Sequence, residues 1–413
     1  MALSFSADKL MTWRTPLVIL ACGCLVSAIG FGPRSSLGLF LTPMSLAHGW
    51  GRDIFALALA LQMLLWGAAQ PIAGAVADRY GAARVLIAGT LLYTAGLILM
   101  AYSTAPGMLY LSAGLLIGFG LAGSSFTIVI GAFGKLMPPQ LRLLSFGLST
   151  AAGSFGQFLF SPLAAGLLDG IGWQAALVVF AVVVLLMVPL ALPLATPSMD
   201  TARAPGAERQ QSLRHALAEA FSHRSYVLLV IGFFTCGFQL FFITVHLPAY
   251  LVDRGLTVAV GAWTLAAIGL FNILGSLSAG WLSDRMPKRY ILSGIYLTRS
   301  LAILAFITLP PSALSAVIFG AIMGLLWLST VPPTNGLVAV MFGTRWLTML
   351  AGVAFFSHQV GGFLGVWLGG VLFESTGSYD AVWWTAIGLG VISALVNLPI
   401  VEKPVARMAA AAG

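Results

Sequence analysis

Hydrophobic residues occur along this chain in long runs that short polar segments separate. A helix needs about 20 mostly apolar residues to cross the hydrocarbon core of a bilayer. Twelve runs have that length, near residues 16–42, 54–77, 83–103, 107–132, 142–168, 173–195, 225–252, 258–283, 290–309, 312–341, 346–373 and 380–400. The alternating segments of about ten residues that are typical of a membrane β-barrel are missing. The pattern therefore predicts an all-α membrane protein with twelve transmembrane helices.

Composition supports this prediction. The sequence has 413 residues, of which 59% are hydrophobic and 8% are charged, whereas soluble domains carry roughly 25% charged residues. The first apolar run is too long for a signal peptide, and no small-residue cleavage site precedes the second run, so we expect it to be retained. The three cysteines, Cys22, Cys24 and Cys236, lie in apolar runs and are interpreted as packing residues. We expect a multi-pass protein of the cell inner membrane that needs no metal or cofactor.

Basic residues lie mostly at one side of the predicted spans. That side carries sixteen of them, namely Lys9, Arg14, Arg79, Arg84, Lys135, Arg142, Arg203, Arg209, Arg214, Arg224, Arg285, Lys288, Arg289, Arg345, Lys403 and Arg407. The other side carries Arg52 and Arg254. Because cytoplasmic loops hold an excess of Lys and Arg, this bias predicts that both termini are cytoplasmic. The net charge of +8 thus reflects topology, and we expect no nucleic-acid partner.

Two loops repeat each other at half the chain length. The sequence GAVADRYGAAR begins at Gly74, and GWLSDRMPKR begins 206 positions later at Gly280. A second match, Asp169 with Gly172 and Glu374 with Gly377, has an offset of 205 positions. The two matches indicate an internal duplication of six helices.

The longest loop lies between the repeats. It suggests three units: an N-terminal six-helix bundle (1–195), a cytoplasmic linker (196–224) and a C-terminal six-helix bundle (225–413). The spacing of Leu213, Leu217 and Phe221 predicts a short helix within the linker.

The duplication and the paired Gly-x-x-x-Asp-Arg loops resemble the major facilitator superfamily of secondary transporters, over essentially the whole chain. The resemblance implies two pseudo-symmetric six-helix bundles that rock around a central site. It also implies a gating latch at the cytoplasmic side, with the residues Gly74, Asp78, Arg79, Arg84, Gly280, Asp284 and Arg285. The second loop departs from the pattern, because Pro287 stands where the family has glycine. The alternative interpretation of these loops is a tight turn with orienting charges.

Two arginines, Arg34 and Arg299, lie within apolar spans, whereas the twelve acidic residues lie in tails, loops or span ends. A charge within the membrane costs about 2.5–3.5 kcal/mol on insertion scales, so it needs a partner. We infer that an anionic substrate supplies the partner of Arg34. The alternative is that Arg34 snorkels to the outer interface, because it lies outward of the centre of its span. For Arg299, a structural role with carbonyls or hydroxyls of span eight is the alternative to substrate contact.

The segment FGPRSSLGLF around Arg34 resembles the monocarboxylate porters, whose first helix has a proline and a basic residue before a glycine and aromatic residues. Here Gly38 comes one residue late, and arginine replaces lysine. The aspartate and arginine of the porters' eighth span are replaced by Asn272 and Ser276. The resemblance implies a bacterial relative with an altered site, which carries a small organic anion, a monocarboxylate, with or without a proton.

Other polar residues in the spans extend the candidate substrate site. Histidine is the side-chain type whose unperturbed pKa lies near neutral pH, so His246 and His358 are candidate proton carriers. The further candidates are Gln157, Gln239, Trp327, Asn335 and Gln359. Each has helix packing as its alternative role. The pair Pro332 and Pro333 predicts a break in the tenth helix.

Two other functions remain open at this point. One is export of neutral or anionic drugs or toxic compounds, and the other is a nutrient sensor that binds without transport. An intramembrane enzyme is not expected, because the spans lack paired aspartates and the sequence lacks H-E-x-x-H and G-x-S-G motifs. We expect a monomer in the lipid bilayer that binds a small anionic substrate, with or without a proton.

Overall fold

The structure, a computed structural model, describes residues 14–196, 213–343 and 347–405. These residues form helices and connecting loops, without a β-strand. Eleven helical segments in the described ranges are long and apolar enough to cross a membrane. The longest, Leu144–Leu194, is interrupted at Gly172, whose φ of 78° lies in the left-handed region. Counting that segment as two gives twelve spans, and the predicted all-α membrane fold is confirmed.

The helix bounds follow the predicted spans within a few residues. The first six spans contain α1 (Pro16–Ser35), α2 (Leu41–His48), α3 (Arg52–Tyr80), α4 (Ala82–Ala101), α5 (Pro106–Leu109), α6 (Ile117–Ser124), α7 (Phe126–Leu136), α8 (Arg142–Leu185) and α9 (Met187–Ala191). The last six contain α11 (Arg224–Asp253), α12 (Val258–Ser283), α13 (Lys288–Thr308), α14 (Ala313–Leu326), α15 (Val331–Phe342), α16 (Leu347–Thr376) and α17 (Asp380–Asn397). Between the two sets lies α10 (Leu213–Ser222), at the position of the predicted short helix.

The duplication is visible in how each set of spans closes its own end. The backbone N–H of Ala82, the first residue of α4, donates to Thr196 Oγ1 at 2.9 Å. In the last six spans, the N–H of Arg289 near the start of α13 donates to Glu402 Oε1 at 2.9 Å. Thr196 and Glu402 are 206 positions apart. In both sets, therefore, the segment after the sixth span satisfies a free N–H at the start of the third.

The fourth span of each set is broken at matching positions. In the first set, Ser125 adopts an extended conformation between α6 and α7. In the second set, α14 ends at Leu326 and α15 begins at Val331, with Pro332 and Pro333 in its first turn. The break that the proline pair predicts is thus confirmed, whereas no residue pattern predicted the break at Ser125. Discontinuous helices of this kind form the binding sites of many transporters.

The two sets of spans meet closely at one end of the bundle. We call the end that carries the start of α1 and the end of α17 the terminal end, and the opposite end the far end. At the far end, Gly38 lies against the backbone of Thr244 and Val245 in α11. A Cβ atom at position 38 would overlap the carbonyl oxygen of Thr244. The first and seventh spans therefore close the far end by direct backbone contact.

Candidate functional site

Arg34 lies between the two sets of spans, near the end of α1, and 5% of its surface is exposed. Three aromatic rings surround its guanidinium carbon, with centroids at 4.5 Å for Phe241, 5.0 Å for Trp66 and 5.6 Å for Phe31. Phe31 and Trp66 belong to the first six spans, and Phe241 belongs to the last six. The charge therefore lies where both sets of spans can act on one ligand.

The polar contacts of the Arg34 guanidinium are weak. Its Nη2 lies 2.8 Å from the thioether sulfur of Met63, which is a poor acceptor. Its Nε is buried and has no hydrogen-bond partner. Cation–π contact with the rings offsets part of the cost of burial. Within the described ranges the guanidinium forms no salt bridge, so its site retains the capacity to bind an anion.

His358 and Gln359 lie next to this arginine. The imidazole is surrounded by Phe233 at 5.0 Å and Phe241 at 5.3 Å between ring centroids. Gln359 Oε1 lies 3.2 Å from His358 Nδ1, and Gln359 Nε2 donates to the carbonyl of Met63 at 3.2 Å. Phe241 and Met63 thus contact both the arginine and the histidine–glutamine pair. The structure brings these three predicted residues together.

Sequence reasoning missed a polar chain that begins at Trp66. The indole N–H of Trp66 donates to Gln70 Oε1 at 2.9 Å, and Gln70 Nε2 donates to Ser125 Oγ at 2.9 Å. This chain connects the aromatic wall around Arg34 to the break in the fourth span. The spacing of four residues between Trp66 and Gln70 puts both on one helix face, and this was the available signal.

Two candidate residues bridge the two sets of spans instead of facing Arg34. Gln157 Nε2 donates to the carbonyl of Leu265 at 3.3 Å. Asn272 Nδ2 donates to Ser154 Oγ at 2.9 Å, and its Oδ1 accepts from the N–H of Leu328 at 3.0 Å. Asn272 therefore ties the fifth span to the eighth and also satisfies an N–H at the break of the tenth.

Replacing Asn272 by leucine is expected to reduce the free energy of unfolding by about 2 kcal/mol, because it leaves the half-buried Leu328 N–H without its partner and removes the buried bond to Ser154. Denaturation of the purified protein in SDS measures the change. Asn335→Leu is the matched control, because Asn335 is exposed on α15, and it should change stability by less than about 0.5 kcal/mol. Equal stability of Asn272→Leu and wild type would contradict the bridging role.

The remaining substrate candidates have other contacts or are exposed. Ser276 Oγ donates to the carbonyl of Asn272 within its own helix. Gln239 Nε2 donates to the carbonyl of Ala386 at 2.9 Å, inside the last six spans. Trp327 is buried at the break of the tenth span, and Asn335 is exposed. Their contribution to a substrate site remains a prediction.

Arg299 is fully buried, and its Nη2 donates to the carbonyls of Leu326 and Trp327. These carbonyls belong to the tenth span, so the expectation that they belong to the eighth is wrong. The physical reason is the break after α14, which frees carbonyls that no helical N–H reaches. Arg299 therefore stabilises the interrupted helix.

His246 belongs to a network at the far end. Its Nε2 lies 2.8 Å from the carbonyl of Val366, and its Nδ1 lies 3.2 Å from the hydroxyl of Tyr379. Because a carbonyl can only accept, Nε2 carries the proton and Nδ1 accepts from the hydroxyl. Burial raises the pKa of Tyr379 to about 12, so the hydroxyl keeps its proton at neutral pH. The network holds the imidazole in its neutral form.

Arg52 connects this network to the first six spans. Its guanidinium donates to both carboxylate oxygens of Asp253, at 2.6 and 2.7 Å, and to the hydroxyl of Tyr379 at 3.0 Å. Its backbone N–H donates to Glu374 Oε1 at 2.6 Å. Arg52 begins α3, whereas its three partners belong to the last six spans. We call this group of Arg52, Asp253, Glu374 and Tyr379 the far-end lock.

The predicted latch residues at the terminal end make local contacts in this conformation. Arg84 donates to the carbonyl of Tyr80, and Arg285 donates to the carbonyl of Trp281. Arg79 lies over the ring of Tyr80, and Asp284 follows α12 directly. Gly74 and Gly280 face open space. The side chain of Asp78 lies outside the described part of the structure, and the latch stays a prediction.

No group of three or more histidine, cysteine, aspartate or glutamate side chains in the described ranges is arranged to hold a metal ion.

Comparison with known proteins gives consistent matches along the chain. The model of the Major Facilitator Superfamily matches residues 23–366. The chain is 28% identical over 396 residues to the uncharacterized MFS-type transporter YcxA of Bacillus subtilis (strain 168), which covers 92% of this chain and 95% of that protein. It is also 28% identical over 387 residues to monocarboxylate transporter 11 of Homo sapiens, covering 88% of this chain and 78% of that protein.

Solved structures with the same fold include a bacterial homolog of the human lysosomal transporter Spinster in an inward-facing, unoccupied conformation. The TM-score is 0.70 at 15% identity, over 93% of this chain and 95% of that one. The D-xylose-proton symporter matches with a TM-score of 0.66 at 17% identity, over 95% of this chain and 98% of that one. At these identities the likeness concerns the fold.

Proposed function

Because this chain belongs to the major facilitator superfamily and is a transporter rather than an enzyme, we propose that it carries a small organic anion, a monocarboxylate. The observation that supports this cargo is Arg34, a buried charge between the two sets of spans with a thioether as its closest polar contact. A carboxylate can replace that contact with two parallel hydrogen bonds to the guanidinium, which sulfur cannot do.

The geometry suits transport by alternating access. Walls from both sets of spans surround Arg34, so rocking of one set against the other changes the side from which the site is reached. In this structure the far-end lock and the contact at Gly38 hold the far end together. We assign the terminal end to the cytoplasm, because sixteen basic residues lie on that side of the sequence pattern and two on the other. The site then releases or accepts cargo from the cytoplasm in this conformation.

We assign coupling to a proton, if present, to His358 rather than His246. His358 shares Phe241 with Arg34, so a proton on its imidazole and an anion at Arg34 would occupy one site. Both nitrogens of His246 are already engaged by the far-end network.

Counterflow into proteoliposomes tests the proposed function. Vesicles loaded with unlabelled lactate, pyruvate, acetate or phenylacetate receive a trace of the labelled acid. Transient accumulation above that of protein-free vesicles, which measure passive entry of the protonated acid, reports exchange through the protein. Tetraphenylphosphonium and glucose are the cationic and neutral probes. We expect exchange of at least one carboxylate, acceleration by a proton gradient and loss of that acceleration in His358→Ala.

Three results would overturn the proposal. Exchange of tetraphenylphosphonium without any carboxylate would indicate an exporter of toxic compounds, and exchange of glucose without any carboxylate would indicate a carrier of neutral solutes. Binding of a carboxylate without exchange would indicate a sensor.

A further inference from the structure

The aromatic wall around Arg34 extends well beyond the guanidinium. The ring of Trp66 contacts Phe355 edge-to-face at 5.9 Å between centroids, and Phe355 stacks on His358 at 5.7 Å with an interplanar angle of 11°. Phe233 and Phe241 lie against the same imidazole at 5.0 and 5.3 Å. A continuous set of rings therefore leads from the arginine to the histidine.

These rings pack closely, and Phe355 is the most accessible of them. Trp66, Phe233, Phe241 and His358 keep 4–6% of their surface exposed, while Phe355 is only half-buried. The wall also combines residues of both sets of spans, with Trp66 on α3, Phe241 on α11 and Phe355 on α16. A ligand between these rings would contact both moving parts at once.

On this basis, and resting on the proposed function, we propose that the cargo is an aryl-substituted monocarboxylate. Its carboxylate binds Arg34, and its ring packs among Trp66, Phe241 and Phe355. A two- or three-carbon acid would occupy the arginine end alone and would make no contact with these rings. An aryl group would add apolar contact and offset or edge-to-face contacts with the rings.

The arginine end is suited to this exchange. The guanidinium carbon of Arg34 lies 4.5 Å from the ring centroid of Phe241 and 5.0 Å from that of Trp66. A carboxylate that draws the guanidinium toward itself vacates part of these ring surfaces, and the aryl group of the same ligand can cover them. The unpartnered Nε of Arg34 provides a donor for the carboxylate. The carboxylate and the aryl group of one ligand would thus both have binding partners in this site.

Equilibrium binding to the purified full-length protein tests this proposal, because protonated aryl acids cross vesicle membranes unaided. Isothermal titration calorimetry at neutral pH compares acetate, phenylacetate and cyclohexylacetate. Acetate lacks the ring, and cyclohexylacetate has similar bulk without π-electrons. We expect phenylacetate to bind about tenfold more tightly than acetate and about threefold more tightly than cyclohexylacetate.

Variants assign the preference to the wall. Trp66→Leu is expected to reduce the phenylacetate-to-acetate ratio below about threefold. Trp66→Phe keeps a ring and should keep most of the preference, which separates a lost ring from a misfolded protein. Trp384→Leu is the control for loss of an indole, since Trp384 is 56% exposed on α17.

The outcomes separate this proposal from the function on which it rests. Equal binding of phenylacetate and cyclohexylacetate, or a ratio that Trp66→Leu does not change, overturns the aryl cargo and leaves an Arg34-dependent carboxylate carrier. Absence of binding by all three acids overturns both.

Discussion

Replacement of Arg34 by glutamine is expected to lower kcat/KM for anion exchange by at least about 100-fold. Removing one partner of a buried, hydrogen-bonded charge pair costs about 2–5 kcal/mol, and each 1.4 kcal/mol corresponds to about tenfold. Arg34→Lys keeps the charge but loses the planar pair of donors, so we expect a smaller loss of about tenfold. Counterflow with the best carboxylate of the panel measures both variants.

The control for this experiment is Arg224→Gln, because Arg224 is exposed at the start of α11 and is not one of the residues that surround Arg34. It should leave exchange unchanged. Glutamine is shorter than arginine but fits the same aromatic surroundings, so Arg34→Gln should fold. Normal exchange of an anion by folded Arg34→Gln would refute the role of Arg34 as the cargo-binding charge.

The second large effect is expected at the far-end lock. Arg52→Gln removes the charged donor that joins the two sets of spans, and we expect the far end to open in at least about tenfold more molecules. Hydrogen bonds to charged groups contribute about 1.5–3 kcal/mol. Because the side chains of Arg52 and Asp253 are both partly exposed, we expect their interaction energy to lie near the lower value.

Spin-label distances across the far end measure this shift. Labels at Thr104→Cys, between α4 and α5, and Leu309→Cys, after α13, lie on opposite sets of spans in a background without Cys22, Cys24 and Cys236. Asp253→Asn should open the far end to a similar extent. Arg52→Gln combined with Asp253→Asn should open it no further, because both changes remove the same interaction. Additive opening would show that the pair is not coupled.

The sequence was sufficient to predict the membrane fold, because the chain has to satisfy its backbone within long apolar helices. It also located the break at Pro332 and Pro333, since proline removes a backbone donor and clashes with the preceding turn. The break at Ser125 has no such chemical marker. There, a serine in an ordinary extended conformation interrupts the helix, and this becomes visible only in three dimensions.

Residues distant in sequence account for what could not be predicted at the site. The lone charge of Arg34 was evident, but one of its rings belongs to Phe241, which is 207 positions away. From the sequence, Arg52 was one of two basic residues on the less basic side of the spans, and Asp253 was one of the acidic residues outside them. Their pairing could not be predicted, because they are 201 positions apart. Gln239 was predicted from its polarity in an apolar span, but the partner of its amide, the carbonyl of Ala386, lies 147 positions away and could not be predicted; its role in binding remains a prediction.

The contact that closes the far end also bears on the origin of the repeat. Gly38 and Thr244 are 206 positions apart, the same offset as the paired loops, so each lies at the position of the other in its own set. At such a self-facing point, two identical copies of a gene would bring the same residue against itself. At position 38, however, a Cβ atom would overlap the backbone carbonyl of Thr244, whereas position 244 carries a threonine side chain. The two copies are therefore not interchangeable at this contact, because a side chain in place of Gly38 would force the backbones apart.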